Sequence, residues 1–302
     1  MYDQASTLRE VVRASSLQQL DEPVGHQPVA IAITSGKGGV GKTNVVANLA
    51  VALAKMGKRV LILDADFGLA NIDVLFGLAP KHNMGDFVFG VKALEDIVIE
   101  GPNGVKILPA TSGIEQMTAL TAEQQLKLVR GITVLSEHTD YLLIDTAAGI
   151  SSNVISFLLA AGLVIVVTEP EPTAIVDAYL MVKILAHRES AKKIYILVNN
   201  VVGRDEANSV FRQIDKVSNR FLNKQVELLG FVERDKNLME AVAQQMPVVN
   251  MAPNTPAARC LTSIARKLNQ ICNRKKEEQR VSMSWEELFE PANPYVGTGT
   301  AN

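Results

Sequence analysis

Aromatic residues make up only 5% of this 302-residue chain, with one tryptophan, and there are just two cysteines. Cys260 and Cys272 lie twelve positions apart on what reads as one helix, about 120° off each other's face at about 100° per residue. Neither a mutual disulfide nor a shared metal site is expected from that spacing; two reduced thiols are. Long apolar runs are also missing. The longest, Phe157 to Val167, is eleven residues and contains Gly162, short of the roughly 20 that span a bilayer as a helix. The first residues include Asp3, Arg9 and Glu10 with no apolar stretch, so no signal peptide is expected. Neither sign of charge prevails: 30 Lys and Arg against 32 Asp and Glu leave −2, no global field for nucleic acid or anionic lipid. These absences imply a cytoplasmic protein. Peripheral contact at the inner face of the cytoplasmic membrane or a cell pole stays open.

What the chain does have is 47% hydrophobic residues and 21% charged ones, enough for a sizeable core and too much apolar surface for disorder throughout. Six apolar runs read as strands: 29–34, 59–64, 105–110, 141–145, 163–168 and 193–200, with a further short run at 226–232. They are continuous rather than alternating, as strands buried on both faces of a parallel sheet are, and helical patterns separate most of them. The expected fold is therefore α/β: a doubly wound, mainly parallel sheet. No internal repeat is visible.

Three regions follow. Residues 1–27 hold a short helical stripe of Ala5, Leu8 and Val12 that Asp3 can cap, closed by Pro23 and Gly25. Residues 28–275 are the α/β body, ending in a helix after Pro256 with Leu261, Ile264, Leu268 and Ile271 on its stripe and Arg266, Lys267, Arg274, Lys275 and Lys276 off it. Residues 276–302 contain an amphipathic piece, 281–290, and an end rich in Pro, Gly and Thr that is expected to be flexible.

The first strand runs directly into Gly36-Lys37-Gly38-Gly39-Val40-Gly41-Lys42-Thr43, followed by a helical pattern. This is G-x-x-x-x-G-K-[ST] in strand–loop–helix context. Its glycines let backbone N–H groups turn around a phosphate at a helix N-terminus. Lys42 can reach terminal phosphate oxygens, and the Thr43 hydroxyl can ligate Mg²⁺. The second strand ends in Asp64-Ala65-Asp66, two carboxylates at i, i+2 that face one side at the edge where open α/β sheets bind ligands. Another apolar strand delivers Asp145, followed by Thr146-Ala147-Ala148-Gly149.

The loop, with its second lysine at Lys37, resembles the deviant Walker A motif of the MinD/ParA family of P-loop ATPases. Residues 64–73 resemble that family's switch I, DxDxGLxNxD, and 141–149 its Walker B and switch II; the likeness covers about residues 28–270. The resemblance implies an Mg²⁺-dependent ATPase that dimerises face to face around two ATP molecules. Asp66 would orient the attacking water, and Asp64 would assist through the metal's water shell. Lys37 would act across the dimer, Asp145 would hold the metal through water, and the region of Gly149 would sense the γ-phosphate. Asn71 and Asn199 would contact ATP, Asn199 at the adenine. Asp235, which the resemblance also places at the ATP site, falls at the end of the family's G-x-x-P-x-D element, which here reads Gly230-Phe231-Val232-Glu233-Arg234-Asp235 without the proline.

Residues 3–9, Asp-Gln-Ala-Ser-Thr-Leu-Arg, are similar to the DQAxxLR stretch of the family's FlhG branch (also FleN or YlxH), regulators of flagellar number and placement. That resemblance implies a helix that stimulates the GTPase FlhF, with Gln4, Leu8 and Arg9 meeting it. It also implies a downstream partner: a flagellar C-ring protein or the flagellar transcriptional activator. Two alternatives are a partition-type ATPase binding DNA through the basic residues of the last helix, and a MinD-like cell-division ATPase. DNA is the less expected partner, since the net charge is negative and no DNA-binding module is appended. In the piece 281–290, Val281, Trp285, Leu288 and Phe289 form an apolar stripe beside Glu286, Glu287 and Glu290. Membrane contact, protein docking and packing on the body all remain open for it.

Overall fold

The computed structural model describes residues 28–67, 71–110 and 121–278. The N-terminal stretch with Gln4, Leu8 and Arg9, the Gly68-Leu69-Ala70 part of switch I, and the C-terminal piece 281–290 lie outside the described residues.

In chain order the elements are β1 Val29–Thr34, α1 Lys42–Lys55, β2 Val60–Ala65, α2 Ile72–Leu75, α3 Met84–Val88, α4 Leu94–Ile97, β3 Ile99–Glu100 and β4 Lys106–Leu108. Then come α5 Ala122–Ser136, β5 Tyr141–Thr146, α6 Ser152–Ala160, β6 Leu163–Thr168, α7 Pro172–Arg188, β7 Ile194–Val201 and α8 Arg204–Leu222. The described residues finish with β8 Glu227–Glu233, α9 Lys236–Ala243, α10 Val248–Met251 and α11 Pro256–Glu278. The strands form one sheet in the order β3-β4-β2-β5-β1-β6-β7-β8, parallel except at the β3–β4 edge.

The continuous apolar runs have the cause read from them: both faces of the sheet are covered. Ala30, Leu61, Leu142 and Val164 point to one side, where α3 to α8 pack. Their neighbours Ile31, Ile62, Leu143 and Ile165 point to the other, under α1, α10 and α11. The run 226–232 also becomes a strand, so the sheet gains an eighth member at one edge. At the opposite edge the two-residue β3 pairs antiparallel with β4. No sequence pattern marks it, because its partner rather than its own periodicity sets so short a strand. β4 is correspondingly shorter than the 105–110 reading, and β2 begins one residue later than read.

Local chemistry starts the helices. Thr121 and Gln124 form a capping box at α5, and Asn83 with Asp86 form one at α3. Ser151 caps α6. In α11, Leu261, Ile264 and Leu268 are buried and Ile271 is half-buried; Cys272 is buried and Cys260 half-buried, and neither is in a disulfide among the described residues. β1 lies between β5 and β6. The chain crosses from one side of β1 to the other between β5 and β6, so a crevice opens at the carboxyl ends of these strands.

Candidate functional site

The loop from Gly36 to Gly41 fills that crevice, and α1 begins at Lys42. Gly39 and Gly41 both adopt φ +84°, a left-handed backbone that glycine reaches without a Cβ clash. Gly36 is required for a different reason. A Cβ there would lie 2.4 Å from the carbonyl oxygen of Asp177 in α7, so the loop rests directly on that helix. Ser35 Oγ donates to the Lys37 carbonyl at 2.9 Å, and the Gly149 amide donates to the Ser35 carbonyl at 2.9 Å. The turn after β5 is thereby tied to the residue that starts the loop.

Lys42 and Asp145 form a buried ion pair beneath the loop. Burial pushes the Asp145 carboxyl up, against the pull of Lys42 and of a hydrogen bond from Thr43. Asp64 stands beside it, since Asp64 on β2 is the register partner of Asp145 on β5. Burial, and then the neighbouring Asp145, push Asp64 up to about 7. Asp64 also accepts the amides of Asp66 at 3.1 Å, Asn71 at 3.3 Å and Ile72 at 3.5 Å, which fixes the start of α2. Asp66 is half-buried at the end of β2, with its amide held by that bond. Thus Thr43, Lys42, Asp64, Asp66 and Asp145 converge on one strand-end crevice, whereas Asn71 is exposed at the first turn of α2.

Lys37 lies over a set of acidic residues that sequence reasoning missed. Its ammonium is bonded to Glu171 of the same chain, with the Thr173 hydroxyl at 3.4 Å. The hydrogen bond to Glu171 raises the lysine's pKa, and Glu169 and Asp177 add to it. The signal was in the sequence: Glu169-Pro170-Glu171-Pro172-Thr173 follows an apolar strand directly, at the sheet end where ligands bind.

Asn199, near the end of β7, is buried, and its Nδ2 donates to the Val40 carbonyl at 2.8 Å. A Cβ on Gly41 would meet that Nδ2 at 2.4 Å, so the last loop glycine also makes room for the asparagine. The next residue, Asn200, adopts φ +59° and accepts from Arg234 Nε at 3.1 Å. Asp235 has both oxygens engaged. Oδ1 accepts the Asn237 amide at 2.9 Å and caps α9, while Oδ2 accepts the Ala257 amide at 3.1 Å at the start of α11. Against the effect of burial, a bond from the Asn237 side chain to Oδ1 at 2.7 Å together with these two holds its carboxyl below the usual range.

The fit to a divalent cation rests on the donor set. Among the described residues no group of three or more His, Cys, Asp or Glu could hold a metal by itself. Two adjacent buried carboxylates and a threonine hydroxyl suit an ion that keeps waters and shares phosphate oxygens, the usual coordination of Mg²⁺.

Residues 31–248 match the family described as the CobQ/CobB/MinD/ParA nucleotide binding domain. The chain is similar to the antiactivator FleN of Pseudomonas aeruginosa, 41% identical over 244 residues that cover 81% of this chain and 87% of that protein. It is similar also to the flagellum site-determining protein YlxH of Helicobacter pylori, 34% identical over 88% of this chain and 90% of the relative. Among solved structures, the septum site-determining protein MinD in complex with Mg-ADP from Pyrococcus horikoshii superposes with a TM-score of 0.68 at 26% identity. That match covers 82% of this chain and 98% of the other.

Proposed function

This chain belongs to the CobQ/CobB/MinD/ParA nucleotide-binding family, and we propose that within it the protein is an ATP-hydrolysing dimerisation switch that regulates the number or placement of flagella. MinD/ParA members of that family are generally ATP hydrolysers that form ATP-dependent dimers, which supports the reading. The relatives FleN and YlxH support the flagellar role.

One observation carries the reading: a complete phosphate loop facing Asp64, Asp66 and Asp145 at one sheet edge, with a second lysine, Lys37, on its rim. Gly36 to Gly41 would wrap the triphosphate with backbone N–H groups, and Lys42 would exchange Asp145 for phosphate oxygens. Thr43, Asp64 and Asp145 would hold Mg²⁺, which when bound neutralises charge on the phosphates. Asp66 would orient the water in line with the terminal phosphate. Lys37 would leave Glu171 to reach the nucleotide of a second copy. Asn199 and Asn71 would complete the nucleotide contacts, Asn199 through the loop that it holds, and Asp235 would keep the starts of α9 and α11 in place through its two caps.

Through residues 3–9 the protein would stimulate an FlhF-type GTPase, with Gln4, Leu8 and Arg9 at the contact, and it would act on a flagellar C-ring protein or the flagellar transcriptional activator. No helix among the described residues is long and apolar enough to cross a membrane. The test is a GTPase assay with purified FlhF and a peptide of residues 1–20. Faster hydrolysis is expected; an unchanged rate removes the flagellar GTPase from the reading.

A further inference from the structure

The buried carboxylates Asp64 and Asp145 lie to one side of the phosphate loop, on β2 and β5, and β6, β7 and β8 lie to the other. Asn199 on β7 grips the loop where it passes into α1. A nucleotide whose terminal phosphates meet those carboxylates therefore carries its nucleoside outward over the ends of β7 and β8. There β7 is irregular. Its register against β8 passes from Val198 opposite Phe231 to Val201 opposite Glu233, so three steps on β7 match two on β8. The extra residue falls at Asn199–Asn200, and Asn200 adopts φ +59°. A bulge of this kind re-aims a side chain, and binding sites often keep one.

What the bulge re-aims is the amide group of Asn200. Its Nδ2 points to Glu169 Oε2 at 3.5 Å, and its Oδ1 accepts from Arg234 Nε at 3.1 Å. Arg234 follows the end of β8, and its own backbone amide donates to the Val201 carbonyl at 2.7 Å. The arginine is thus fixed at its backbone and at Nε, yet the residue is exposed. None of the ion pairs among the described residues includes it. A guanidinium held by one edge presents its flat face and both terminal nitrogens to solvent. Holding so long a side chain through a left-handed asparagine costs conformational freedom, and no ion pair of the described fold offsets that cost.

We propose that Arg234, held by Asn200, is the platform on which the base of the nucleotide lies. The guanidinium plane stacks on the purine face, where dispersion adds to the attraction of a cation for the π-system. Face contact suits this arginine better than edge contact. Its nitrogens only donate, which matches guanine O6 and N7, whereas the same edge of adenine presents N7 beside an amine that is itself a donor. Arg234 is then a base-binding residue and Asn200 a positioning residue that acts through it. The inference rests on the reading of the loop as a nucleotide site and adds the base platform to it.

The test is calorimetric titration of the full chain, in Mg²⁺, with three probes that hydrolysis does not consume: ADP, 7-deaza-ADP, which lacks the N7 acceptor, and inorganic pyrophosphate, which lacks the base. Arg234→Ala is expected to weaken ADP and 7-deaza-ADP alike, by about five- to tenfold, and to leave pyrophosphate unchanged. Arg234→Lys, which keeps the charge and loses the plane, is expected to weaken both nucleotides nearly as much. Asn200→Gly accepts the left-handed backbone; it is expected to give a smaller loss on the nucleotides, and no further loss where Arg234 is already alanine. A purely structural asparagine would add its loss to that of the arginine. An equal loss on pyrophosphate would assign Arg234 to the phosphates, a loss on ADP with none on 7-deaza-ADP would assign it to the base edge, and unchanged ADP affinity would remove the contact. Each of those results overturns the platform and leaves the nucleotide site standing. Wild-type protein that binds none of the three probes would overturn the nucleotide reading, and the platform with it.

Discussion

Asn199 and Val40 lie far apart in sequence, yet the asparagine's Nδ2 sits 2.8 Å from the loop carbonyl, buried, where the loop gives way to α1. β7 therefore holds the loop in shape. Asn199→Ala removes one bond and leaves a buried carbonyl without its donor, a loss of about 1–2 kcal/mol. ATP affinity is expected to fall about tenfold in a titration with a fluorescent analogue. Gly41→Ala should do at least as much, since it forces a side chain into a left-handed backbone and against Asn199. Unchanged affinity in both variants would separate the clamp from binding.

Lys42 carries a second expectation, because its ion pair with Asp145 is buried. Lys42→Ala should abolish ATP binding in equilibrium dialysis. It should also lower unfolding stability by about 3–5 kcal/mol in a denaturant titration, since Asp145 loses its partner inside the protein. ATP binding retained at wild-type strength would remove Lys42 from the phosphate site.

Asp66 and Lys37 should separate hydrolysis from assembly. Asp66→Ala is expected to bind ATP and accumulate as dimer, because only activation of the water is lost. Lys37→Ala is expected to bind ATP and stay monomeric. Size-exclusion chromatography with light scattering reads both, and an ATP-loaded Asp66→Ala protein that remains monomeric contradicts the assignment.

Asp235 gives a pH signature. Its carboxyl is held below the ordinary value by the Asn237 and Ala257 amides, so its contribution is present above the unfolded-state value, about 3.9, and is lost as pH falls through the folded-state value. The difference in melting temperature between wild type and Asp235→Ala should thus be large at neutral pH and shrink below about pH 4. A difference that stays constant across that range would mean the caps do not depend on charge.

The loop Gly36–Thr43 and the carboxylates Asp64, Asp66 and Asp145 were legible in the sequence because each motif is contiguous and sits at the end of an apolar strand. Lys37 on Glu171, Gly36 on Asp177 and Asn199 on Val40 were not. Each joins residues more than a hundred positions apart, and only the order β5-β1-β6-β7 brings them together. The same limit hid β3, whose two residues carry no periodicity. Asp235 teaches a different lesson. It occupies the motif position that the family resemblance assigns to nucleotide contact, and its carboxylate caps two helices.

Sedimentation velocity of the full chain, run without nucleotide, with ADP and with a non-hydrolysable ATP analogue plus Mg²⁺, tests the switch most directly. A monomer in the first two conditions and a dimer in the third is the predicted result. One identical species in all three would contradict it.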